Sequence, residues 1–74
     1  MDEEYVVRFV ISDFVSKLSA TVFYAGLSDG LDMTAKPSVA LKLDLSGARR
    51  IAEWLNEQSL EGMRQVEIVN FNSL

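Results

Sequence analysis

A chain of 74 residues, 49% hydrophobic and 24% charged, has the size and composition of one small folded unit over 1–74 and not of a disordered tail. Seven Lys and Arg against eleven Asp and Glu leave a net charge of −4, a poor match for polyanions, so nucleic acid is disfavoured as a partner. Neither Cys nor His is present, which excludes disulfides, thiolate or imidazole metal sites, a Cys nucleophile and an imidazole base; no cofactor is expected.

The chain starts on Met1-Asp2-Glu3-Glu4, acidic where a secretory leader is basic. Arg8, Asp13 and Lys17 break the richest apolar stretch, so no membrane span and a cytoplasmic location are expected. Tyr5–Ile11 is β-branched and aromatic and predicts a strand. Tyr5, Val7, Phe9 and Ile11 fall on one face, Val6, Arg8 and Val10 on the other. Ser12-Asp13 marks a turn start. A second strand centres on Ala20–Ala25, with Phe14, Val15 and Leu18 as a possible backward extension. Gly26 to Pro37 predicts a long loop, with a helical turn possible near Asp32–Ala35.

Val39–Leu43 alternates as a short third strand. Asp44 stands where a helix N-cap belongs, and a helix is predicted from about Leu45 to Gln58. Ala48, Ile51, Ala52 and Leu55 form its apolar stripe, and Trp54 lies one position off it, at the flank. Gly47 in the first turn counts against the helix by about 1 kcal/mol relative to Ala. Gly62 is a stop, and Gln65–Phe71 a last strand with Val66 and Ile68 on one face, Val69 and Phe71 on the other. The order β-β-β-α-β predicts an α+β fold: a four-stranded, mostly antiparallel sheet with one helix on one face.

One helix shields one side of such a sheet, yet both sides carry large apolar residues. Covering a Val or Phe is worth roughly 1.5–3 kcal/mol, which matters in so small a domain. Either a second copy, giving a homodimer, or the loop residues Leu27, Leu31 and Met33 would supply the missing layer; a foreign partner is the lesser expectation.

The chain shows no nucleotide-binding glycine motif, no paired catalytic carboxylates and no base beside Ser16 or Ser46, so no enzyme is expected. Asp29-Gly30-Leu31-Asp32 lacks the acidic ladder of a calcium loop and predicts a turn. Protein-binding candidates are the aromatic residues Trp54, Tyr24 and Phe71 and the acidic residues Asp29, Asp32 and Glu57.

The pattern resembles that of many very small phage and prophage proteins: an opening strand such as Tyr5-Val6-Val7-Arg8, a Tyr-containing second strand at Phe23-Tyr24-Ala25-Gly26, the Ala40–Asp44 element, an Ala-containing helix and a final Val-x-Ile-Val strand. The long Gly26–Pro37 loop and the Gly47 helix start depart from it. The resemblance implies a protein that binds and blocks a host macromolecule in the host cytoplasm, for example a CRISPR effector. A homo-oligomeric accessory protein and a nucleic-acid-associated regulator are the alternatives.

Overall fold

The computed structural model describes residues 3–13, 15–28, 30–58 and 62–74. The most apolar strand, β1 (Tyr5–Ser12), pairs antiparallel on one side with β2 (Ser19–Gly26) and on the other with β4 (Met63–Asn70). A three-residue strand, β3 (Asp32–Thr34), adds antiparallel to β2, so the order across the sheet is β3-β2-β1-β4. This is the α+β fold with a β-β-β-α-β order that the sequence predicts. Because β4 joins β1 and not the third strand, no parallel crossover is made.

The third strand is not where alternation put it. Pro37–Val39 forms a single 3-10 turn, and the residues after it make a wedge. The Tyr5 and Leu43 amides each donate to the other's carbonyl, at 2.7 and 2.8 Å, and the Leu41 amide donates to the Tyr24 carbonyl at 3.0 Å. The β1–β2 ladder ends at Arg8 and Phe23, and this segment enters the gap where the two strands splay apart. Val39–Leu43 therefore spends its backbone groups on the ends of two strands instead of on a ladder of its own. The real third strand lies inside the predicted loop.

Helix α1 (Leu45–Gln58) has the predicted bounds. The Asp44 carboxylate accepts from the Gly47 amide at 2.6 Å, and the Asp44 carbonyl accepts from Ala48, which begins the helix. A Cβ on residue 47 would sit 2.9 Å from that carboxylate oxygen, so glycine allows the tight cap here instead of merely weakening the first turn. Ala48 and Leu55 are fully buried where α1 lies across β1 and β4, while Ile51, Ala52 and Trp54 pack at the margin.

Opposite Phe9, β4 carries one residue too many: Arg8 pairs with Glu67 but Val10 with Arg64. Gln65 takes up the excess in a left-handed conformation, φ 55°, which makes a β-bulge. The bulge leaves Val66 and Ile68 on the helix side with Val7, Phe9, Val22 and Tyr24.

The other side of the sheet is covered by the chain itself. Val6, Phe23 and Ala40 are buried together there, with Val69 and Phe71 packed against them. The residues expected to cover it do otherwise: Leu31 packs on the helix side, and Leu27 and Met33 are exposed. Toward the other end this face turns polar, with Thr21, Gln65 and the Arg8–Glu67 ion pair at 2.5 Å. A broad sheet-to-sheet contact with a second copy, one of the two covers the sequence left open, thus loses its basis.

Candidate protein-binding surfaces

The molecule measures 44 × 23 × 22 Å, and exposed apolar groups stand at both ends of β1, Val39 and Leu74 toward one and Val15 and Leu18 at the other. At the Tyr5 end, β4 runs out at Asn70, whose side-chain oxygen accepts from the Asn72 amide and turns Phe71–Ser73 into a 3-10 turn. Facing it is the Pro37–Val39 turn. Lys42 joins the two, with its ammonium donating to the Ser38 carbonyl at 2.5 Å and lying 4.8 Å from the centre of the Phe71 ring. Pro37, Ser38, Phe71, Asn72 and Leu74 line a groove of about 520 Å³ between these turns. Leu74 is 51% exposed, and Val39 on the adjoining turn 59%.

At the opposite end, Asp13, Val15, Ser16, Lys17 and Leu18 lie in the connection between β1 and β2. The Asp13 carboxylate accepts from the Val15 amide and the Ser16 hydroxyl, both at 3.0 Å, and the Ser16 oxygen accepts from the Leu18 amide at 3.3 Å. The Lys17 amide donates to the Asp13 carbonyl at 2.8 Å, and Lys17 takes a left-handed φ of 59°. This bracing holds up apolar side chains that the fold does not bury: Val15 is 93% exposed and Leu18 71%. Beside them Ile11, Ser12, Asp13, Ser16, Leu18, Ser19 and Ala20 line a mostly apolar groove of about 490 Å³. The Ser12 hydroxyl oxygen is buried there with no hydrogen bond among the described residues.

The Val15 and Ser16 donors hold the Asp13 carboxyl below the usual carboxylate range. A depressed folded pKa means that the charged brace is complete above the unfolded value and is lost as pH falls through the folded one. The Val15 amide resonance is expected to titrate with a midpoint below that of an ordinary Asp; a midpoint at or above it would contradict the brace.

The sequence-derived candidates do not converge. Tyr24 is 3% exposed, and its ring is part of the helix-side core; burial, then the nearby Asp32 carboxylate, pushes its phenol up. Trp54 packs on the same core from the helix flank. Asp32 accepts from the Ser28 hydroxyl at 2.9 Å within the β2–β3 connection, and Glu57 is exposed near the end of α1. Asp29 lies outside the described residues. Phe71 alone lines an apolar groove. Among the described residues no three acidic side chains come together as a cation would need, and no helix is long and apolar enough to cross a membrane.

Sequence reasoning missed the exposed tip. The backward extension of the second strand through Phe14, Val15 and Leu18, left open by the sequence, is not made: β2 starts at Ser19, and Phe14 lies outside the described residues, although the Asp13-x-x-Ser16 spacing that braces the connection was there to be read. The chain matches no family model, no curated protein and no solved structure at a significant level.

Proposed function

We propose that this chain is a non-enzymatic protein-binding module that acts by occupying a surface of another macromolecule through the groove around Phe71. The carrying observation is the set of exposed apolar groups at that groove: Leu74 and Val39 stand in solvent on two short turns that Lys42 and the Phe71 ring hold in place. Apolar groups on a preorganised rim suit an incoming apolar side chain, because little ordering cost is met on binding. The acidic residues Asp32 and Glu57 are not at this groove, so the reading rests on shape and apolar contact, not on an acidic surface. Likeness of pattern to small phage and prophage proteins makes host-defence effectors, CRISPR effectors among them, the first partners to try.

The test is calorimetric titration of the chain into purified effectors, with Leu74→Asp alongside. Leu74 is exposed, so the variant keeps the fold. A charge placed in a buried apolar contact is expected to weaken binding by about tenfold or more. Binding that Leu74→Asp leaves unchanged would remove the groove from the account, and absence of binding to any effector would remove that partner class.

A further inference from the structure

At the Tyr5 end we infer a movable strap with Lys42 as its clasp. The Phe71–Ser73 turn lies closed over the apolar cluster of Val6, Phe23 and Ala40 while the Lys42 ammonium holds the Phe71 ring. Without that cation the turn opens as a unit, with the sheet and helix still folded. The backbone allows this. The ladder between β1 and β4 ends at the Tyr5–Asn70 pair. Past it, among the described residues, one backbone bond ties the turn to the sheet, the Phe71 amide donating to the Glu4 carbonyl at 2.8 Å. The bonds from Leu74 to Phe71 and from Asn72 to Asn70 stay within the turn and its cap. A segment with so little bonding to its surroundings can open without disturbing the ladder.

What the turn covers is apolar. Val6, Phe23 and Ala40 are each 5% exposed or less, and Phe71 packs against them. Opening lifts the ring from that cluster and converts the shallow groove into a deeper apolar cleft. The clasp is anchored elsewhere. Lys42 sits between Leu41 and Leu43, whose amides donate to the Tyr24 and Tyr5 carbonyls at 3.0 and 2.8 Å, so its backbone is fixed to the sheet and not to the turn it holds. Its ammonium donates to the Ser38 carbonyl and stands over the Phe71 ring. Among the described residues it pairs with no carboxylate, so its charge is spent on that ring and that carbonyl. Lys42 does not itself line the groove, yet the groove's shape depends on it.

Amide hydrogen exchange followed by NMR tests the clasp on the chain alone. Lys42→Met keeps an unbranched apolar stem and removes the charge. It is expected to speed exchange of the Phe71 amide by about tenfold, while the Phe9 and Val22 amides exchange as in the parent. Lys42→Arg keeps a cation that stacks on aromatic faces and is expected to restore slow exchange. Adding Lys42→Met to Phe71→Leu is expected to give no further increase over Phe71→Leu, because the clasp then has no ring to hold. Parent-like exchange at Phe71 in Lys42→Met overturns the inference. So does equal acceleration at Phe9 and Val22, an arginine that fails like methionine, or effects of the two substitutions that multiply. No partner enters the experiment, so the strap and the binding role of the groove can fail separately.

Discussion

Replacing Phe9 by alanine is expected to remove most of the stability of this chain, and at room temperature much of the population should unfold. Phe9 is fully buried at the middle of the central strand, facing the bulge on β4 and packed in the cluster that contains Val22, Tyr24 and Leu55. Truncating a buried Phe costs about 3–5 kcal/mol, partly lost burial and partly the cavity left behind. A domain of 74 residues has about 4–11 kcal/mol in total. The sheet cannot collapse around the gap, because β1 is hydrogen-bonded on both sides. Urea denaturation followed by circular dichroism checks the prediction. A midpoint within error of the parent would show that Phe9 is not at the centre of the core.

Gly62→Ala is expected to be the most damaging single-methyl change. Gly62 has φ +83°, and an added Cβ would sit 2.5 Å from the Ser12 carbonyl oxygen. The two residues are also tied by the Ser12 amide, which donates to the Gly62 carbonyl at 2.8 Å. Relieving the clash means moving the end of β1 away from the start of β4 and giving up that bond. Backbone strain and the lost bond together come to about 2–4 kcal/mol, or a fall in melting temperature on the order of 10–25 °C. Gly30→Ala is the internal control. Its φ is +108°, but a Cβ there would meet nothing within 4 Å, so only the strain is paid. Equal melting temperatures for the two variants would contradict the close approach at Ser12.

Much of this architecture was legible from residue patterns, and the exceptions share a cause. Strands β1 and β2 and helix α1 carry their signals locally: β-branched alternation, the Asp44 cap, and the stripe through Ala48 and Leu55. The segment around Leu41 has a strand's alternation, yet its backbone serves the ends of two other strands, a tertiary demand that period-2 reasoning does not see. Conversely, Asp32–Thr34 is too short to show a period at all. The excess of apolar sheet surface was real, but its cover came from Ala40 and the residues around it, a small residue where bulky ones were expected. Close approach favours small side chains, so residue size alone misdirects such a forecast. The aromatic residues are ambiguous for a related reason: Tyr24 and Trp54 are large enough to serve a core or an interface, and the packing buries Tyr24 while leaving Trp54 half-buried at the helix flank.

The bulge at Gln65 has a further consequence, for solubility. Tyr5 exchanges its backbone bonds with Leu43, so alternation along β1 turns the amides and carbonyls of Ile68 and Asn70 outward, toward the open border of the sheet. Such a border is a template on which strands of other molecules could stack and grow into fibrils. Here the left-handed Gln65 breaks the template partway, and Arg64 and Glu67 flank the break with charge. An incoming strand finds only a short regular run before its register fails, so unlimited lateral growth is discouraged while the ends of the molecule stay available for selective contacts.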